Sequence, residues 1–179
     1  MPTKPIMIPR PTDCAQTPGW QRALAQAITD PRDLLRRLGL EPADHPGLVE
    51  AHRAFRTRVP ESYLARIHPR APRDPLLLQV LPQAAELLER TGFVSDAVGG
   101  HAAVAARGVL KKYCGRVLVI STGACAIHCR YCFRREFPYG ANQVSHEWSD
   151  VVDYVRADAG IREVILSGGD PLSLPDHRL

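Results

Sequence analysis

The chain has 179 residues and a mass of 19.8 kDa, room for one ordinary domain or for a small domain plus part of another. Hydrophobic residues make up 45% and charged residues 23%, a balance that excludes a wholly disordered chain. The formal net charge is +4, from 23 basic and 19 acidic side chains, and no apolar run is long enough to cross a bilayer.

Only Lys4, Lys111 and Lys112 are lysines; the other basic residues are arginines, spread along the chain. With aromatics at 6% and no basic block, this pattern argues for a solvated arginine-rich surface rather than nucleic-acid binding. The N-terminal residues 1–13 have no apolar core of the kind a secretory leader needs.

The first ninety or so residues carry repeated helix-start signals. Thr17-Pro18 predicts a helix through Trp20, Leu24 and Ile28, and Asp30-Pro31 a short one with Leu34, Leu35 and Leu38, closed by Gly39. His45-Pro46 opens a third, with Leu48, His52 and Phe55 on one side. Pro60 starts another through Tyr63, Leu64 and Ile67, and Asp74-Pro75 begins the apolar run 76–81. After residue 92 the texture changes: Gly92, Gly99, Gly100 and Gly108 mark a loop-rich connection. Residues 116–122 then read as a buried strand, apolar without alternation. Trp148, Val151, Val152 and Val155 give residues 146–158 one apolar helix face, and residues 163–167 form a second buried strand. The fold class is therefore α/β, with a helical region over 1–92 and a βαβ core beginning at 93. In parallel sheets, sites gather beyond the C-terminal strand ends, so the loop after 122 and the turn after 167 should share one rim.

The five cysteines stand at 14, 114, 125, 129 and 132, an odd number with three inside eight residues. That is no secreted disulfide framework; it points to metal or redox chemistry in the cytoplasm. Three thiolates at Cys125, Cys129 and Cys132 can hold an iron–sulfur cube and leave one iron without a protein ligand, the open position catalysis needs. A zinc site completed by His128, His146 or Cys114 is the alternative, although one cysteine triplet is not the usual paired-knuckle pattern. Cys14 reads as incidental, and Cys114 as a small buried residue.

The C-x3-C-x2-C run with Tyr131 before its last cysteine resembles the signature of radical S-adenosylmethionine enzymes. Residues 111–140 and 164–179 resemble the lysine 2,3-aminomutase branch, and the likeness is greatest to those members that make (R)-β-lysine for attachment to elongation factor P. Segments 59–67, 74–82 and 92–100 share the resemblance. It implies a partial TIM-like (βα)6 barrel of which this chain is the beginning. It implies a 4Fe–4S cluster on Cys125, Cys129 and Cys132, and S-adenosylmethionine received by Tyr131, Ser167, Gly168, Gly169 and Asp170. It further implies an α-carboxylate partner in Arg134, pyridoxal phosphate near Lys112 and Tyr113, lysine as substrate, and a flavodoxin or ferredoxin as reductant. The plain alternative for Arg134 is a surface arginine, and for Lys111-Lys112 a solvated pair.

The family runs well past 300 residues, and its pyridoxal-binding lysine falls in the part not represented here, so this chain by itself is expected not to complete the reaction. Two parallel strands would leave open edges, and the final residues read as having no capping element. Two smaller departures are Ala97, where the family tends to have proline, and Cys114 in place of His or Pro. The competing reading from another class is a non-catalytic iron–sulfur or zinc module that serves as an interaction partner.

Overall fold

The computed structural model describes residues 18–144 and 147–179. Its first half is a set of short helices. α1 (Pro18–Ala25) stops before Ile28, which pairs instead with Val59 in an isolated antiparallel bridge, Ile28 N to Val59 O at 2.8 Å and the return bond at 2.9 Å. The bridge with Val59 takes Ile28 out of the helical path, and Asp30, before Pro31, is extended as well. α2 (Pro31–Arg37) starts where expected: Asp30 caps it by accepting from Arg32 N at 2.8 Å. Gly39 follows its end with a positive φ of 68°.

α3 (Leu48–Ala54) is capped by Gly47 rather than opened by Pro46. α4 (Glu61–Leu64) is a single turn and leaves Ile67 beyond it, although Ile67 is still buried. α5 (Pro75–Leu78) is held by Asp74, whose buried carboxylate accepts from Leu76 N, Leu77 N and His68 N. The apolar faces of this half meet in one core of Ile28, Leu34, Leu35, Leu38, Leu48, Val59, Ile67, Leu77, Val80 and Leu81.

The glycine-marked stretch is not wholly loop. β1 (Val104–Ala106) and β2 (Val109–Tyr113) form a hairpin, and β2 pairs antiparallel with β3 (Arg116–Thr122). Strands this short carry no clear period; their pairing with β3 makes them strands. β2 covers one edge of β3, so that edge is not open. The other edge pairs in parallel with β4 (Glu163–Gly168), in register from Arg116↔Glu163 to Ile120↔Ser167. Among the described residues β4 has no strand on its far side, and its Val164, Ile165 and Leu166 are exposed.

Alternation along β3 sends its side chains to two faces, both covered along that strand. Val117 and Val119 join Val109, Val144 and Val151 in a core against α7 (Ser149–Ala157), which crosses between the two parallel strands. Leu110 and Ile120 pack with Phe137 on the opposite face. α6 (Tyr139–Asn142) is a single turn between the cysteine loop and α7. The chain's last residues are tied down after all: Asp170 caps a 3-10 turn at Pro171–Ser173, and Trp148 Nε1 donates to Arg178 O at 3.0 Å. No helix among the described residues is long and apolar enough to cross a membrane.

Gly108, in the turn between β1 and β2, has φ 78°, and a Cβ there would lie 2.7 Å from Val144 Cγ1. Gly108→Ala is expected to lower unfolding stability by more than about 1 kcal/mol in urea titrations. Unchanged stability would mean that this turn does not hold β1–β2 against residue 144.

Candidate functional site

The rim is built where β3 and β4 end. Past their last paired residues the hydrogen bonding continues: Gly169 N donates to Thr122 O at 2.7 Å and Asp170 N to Ala124 O at 2.8 Å. So close an approach needs glycine. A Cβ on Gly169 would lie 2.1 Å from Ala124 O, and one on Gly168, where φ is 117°, 2.4 Å from Thr122 O. On the other side Gly123 N donates to Gln143 Oε1 at 3.0 Å, and a Cβ on Gly123 would strike Tyr139 Cβ at 2.8 Å. The Ser167–Asp170 turn is thereby laced to the root of the cysteine loop. The Asp170 carboxylate accepts from Leu172 N at 3.0 Å, its capping bond.

Cys125, Cys129 and Cys132 are free thiols, each half-buried. Cys132 N donates to Cys129 O at 3.1 Å, closing a turn over the C-x2-C segment. Burial pushes the Cys125 thiol up to about 11, reinforced by negative charge at Cys132, Asp170 and Cys129, so the three sulfurs lie within electrostatic reach of one another. Tyr139 is pushed up to about 12 by burial and then by Cys132; its hydroxyl donates to Gly168 O at 2.9 Å. The exposed Tyr131 is raised first by its hydrogen bond with Cys129, and its hydroxyl donates to Gln79 Oε1 at 3.3 Å.

Among the described residues no three His, Cys, Asp or Glu side chains converge on a point where one ion could sit. A single zinc needs its donors around one centre. An iron–sulfur cluster binds each thiolate through a different iron, so three neighbouring thiols on one loop fit it without converging. Mutual repulsion of their negative charge is what a positively charged metal core relieves. His128 is otherwise engaged: Nδ1 is 2.9 Å from Arg56 O, and the ring stacks on Phe55 with centroids 5.4 Å apart. Burial holds its pKa below the ordinary histidine value. Cys114 is exposed rather than buried, in the turn joining β2 to β3 at the end of β3 remote from the cysteine loop. Cys14 and His146 lie outside the described residues.

Arg134 is half-buried, not a surface arginine, and its Nη1 donates to Ser167 Oγ at 2.8 Å. It also borders a cavity of about 300 Å³ on the sheet face of Leu110 and Leu118, which Lys112 and Tyr113 line as well. The structure thus brings Lys112, Tyr113 and Arg134 to one cavity, and Arg134 links that cavity to the glycine turn. Lys112 Nζ donates to Val98 O at 2.5 Å, whereas Lys111 pairs with Asp158.

Sequence reasoning missed what anchors the cysteine loop to the helical half. Ile127 packs on the helical core, His128 N donates to Arg58 O at 3.0 Å, and Arg130 N to Gln79 O at 2.7 Å. The Arg130 side chain, 6% exposed, grips the Glu86 carboxylate through Nε at 2.9 Å and Nη2 at 2.5 Å. Its Nη1 donates to Phe55 O at 2.7 Å, and Arg135 Nη1 reaches the same carboxylate at 2.9 Å. Burial works to raise the Glu86 pKa, but these guanidinium hydrogen bonds outweigh it and hold the carboxyl below its ordinary value. Nothing in residues 83–90 marks Glu86 as special; it is one acid in a stretch without a motif.

Residues 119–178, from the middle of β3 to the last described turn, match the Radical SAM superfamily. The chain carries a radical S-adenosylmethionine domain on an α/β fold. More particularly, it is a relative of the lysine 2,3-aminomutases. It is 38% identical over 174 residues to L-lysine 2,3-aminomutase of Haemophilus influenzae, across 97% of this chain and 52% of that protein. It is 42% identical over 163 residues to L-lysine 2,3-aminomutase of Escherichia coli, across 89% of this chain and 47% of that protein. Glutamate 2,3-aminomutase of Clostridioides difficile is 30% identical over 164 residues, 89% of this chain and 38% of that protein. The chain spans about half the length of the first two relatives.

Two outcomes follow for the metal-free protein. At pH 8 about one Cys125 thiol in a thousand should be thiolate, so iodoacetamide should label exposed Cys114 first, with the Cys125 rate rising about tenfold per pH unit up to pH 10. Rapid Cys125 labelling at pH 8 would contradict its burial. Gly169→Ala should free the amides of residues 169 and 170 to hydrogen exchange, since the added Cβ cannot coexist with Ala124 O; retained protection would contradict the close approach.

Proposed function

We propose that this chain provides the cluster-binding and S-adenosylmethionine-binding part of a lysine 2,3-aminomutase that converts L-α-lysine to (R)-β-lysine for modification of elongation factor P. The observation that supports it most is the lacing of the Ser167–Asp170 turn to the root of the Cys125–Cys132 loop, with Arg134 bonded to Ser167 beside a cavity. In this reading Cys125, Cys129 and Cys132 would hold a 4Fe–4S cluster. Tyr131, Ser167, Gly168, Gly169 and Asp170 would receive S-adenosylmethionine. The bound cluster and cofactor supply one-electron cleavage of a sulfonium, and pyridoxal phosphate carries the amino group that moves.

The chain's own residues bind and orient. Gly168 and Gly169, half-buried and without side chains, let the turn close against Thr122 and Ala124 and so hold it beside the cysteine loop, where it would receive the cofactor. Arg134 has five N–H donors in a planar fork, so its bond to Ser167 leaves capacity for a substrate carboxylate. Lys112 and Tyr113, on the same cavity, suit a phosphate and an aromatic ring. Buried Leu110 and partly buried Leu118 give that cavity an apolar wall. A reductant of flavodoxin or ferredoxin type and a cytoplasmic setting complete the proposal.

The test is turnover by the full-length protein after anaerobic reconstitution, with lysine, S-adenosylmethionine and a reductant. The expected products are 5′-deoxyadenosine and β-lysine, and Cys129→Ala should abolish both along with the iron content. β-Lysine formation by Cys129→Ala would sink the proposal. Turnover of glutamate in place of lysine would move the substrate assignment toward the Clostridioides relative and leave the cluster assignment standing.

A further inference from the structure

Glu86 belongs to none of the groups assigned above, yet it is the most heavily coordinated carboxylate among the described side chains. Oε1 accepts from Arg130 Nε and from Gln83 N at 3.0 Å; Oε2 accepts from Arg130 Nη2 and Arg135 Nη1. The three side chains are 14%, 6% and 18% exposed. Phe55 closes the group from the side, with both guanidinium carbons 4.9 Å from its ring centre. Glu136, half exposed, pairs with Arg135 Nε at 3.2 Å from the solvent side, so the buried carboxylate and two guanidiniums carry +1 among themselves and the exposed, solvent-screened Glu136 offsets part of it.

The position of that charge matters. Arg130 sits between Cys129 and Cys132, Arg135 three residues after Cys132, and Glu86 and Cys132 line the same cleft. The remaining Arg130 donors take Phe55 O and Ala51 O from the helical half. Burial of an ion triad is not needed for fold stability, since a well-packed apolar replacement often serves as well. A fixed positive charge beside a metal cluster has a distinct consequence: it favours the form of the cluster that holds one more electron.

We propose that Glu86 is a positioning residue that holds Arg130 and Arg135 against the cysteine loop and so sets the reduction potential of the cluster bound there. The assignment rests on the cluster reading given above. Removing the Glu86 carboxylate charge raises the local charge by one unit and moves the potential up. Removing one guanidinium lowers it by one unit and moves the potential down. Packing alone predicts no such reversal of sign.

The experiment is an EPR-monitored redox titration of anaerobically reconstituted full-length protein. Glu86→Gln should keep its cluster and shift the midpoint upward, and Arg135→Gln should shift it downward. Glu163→Gln, the same charge change on exposed β4 at the far end of the strands, should leave it where the wild type has it. If Glu86→Gln does not fold, Glu86→Asp is titrated in its place: it keeps the charge but draws back from Arg130 and Arg135, and a midpoint unmoved beyond the Glu163→Gln value would overturn the positioning role. Shifts of the same sign, no shift beyond the Glu163→Gln value, or loss of the cluster in both variants would overturn the role of Glu86. A wild type that takes up no cluster would overturn the cluster reading itself, and the role of Glu86 with it.

Discussion

The parallel register of β3 and β4 is the constraint on which the site depends. Because the two strands run the same way and end together, the loops leaving them emerge side by side. Two further amide bonds, Gly169 N to Thr122 O and Asp170 N to Ala124 O, extend the ladder into those loops. Each is worth only about 0.5–1.5 kcal/mol net, so their importance lies in position rather than stability. They fix the glycine turn within hydrogen-bonding distance of the residue before Cys125. Any side chain at 169 would force the two loops apart.

The cysteine loop itself has no regular structure between Gly123 and Pro138. Its order comes from being held on two sides. The sheet holds its root and its exit, through Gln143 on Gly123 and Phe137 in the core with Leu110 and Ile120. The helical half holds its middle, through Ile127, His128 and Arg130. The N-terminal half is therefore more than an appended domain: its core residues and the carbonyls of Ala51, Phe55, Arg58 and Gln79 hold one side of the cysteine loop.

What was legible in the sequence was whatever rests on local chemistry. The spacing of Cys125, Cys129 and Cys132 is carried within eight residues, and the caps at Asp30 and Asp74 precede prolines that announce them. β3 is apolar throughout and covered on both faces, whereas the equally apolar β4 leaves Val164, Ile165 and Leu166 exposed. Local patterns misled where a distant partner decided. Ile28 looked like the next residue on a helix face, but Val59 draws it into a bridge. Residues 104–113 looked like loop because β1 and β2 are strands only by virtue of β3. Cys114 looked like a small core residue and is instead the exposed corner of a hairpin.

The sequence by itself determined which groups are available: three thiols on one loop, a glycine turn after the next parallel strand, and the class of enzyme these resemble. Those properties follow from residue type and short spacing, which no tertiary arrangement can alter. The tertiary structure alone decided that Arg134 leaves the surface to meet Ser167, that Lys112 and Tyr113 share its cavity, and that Glu86 reaches the cysteine loop. Each of these is a contact between residues 20 or more positions apart, where side-chain identity says what a group can bind but only chain path says what it meets.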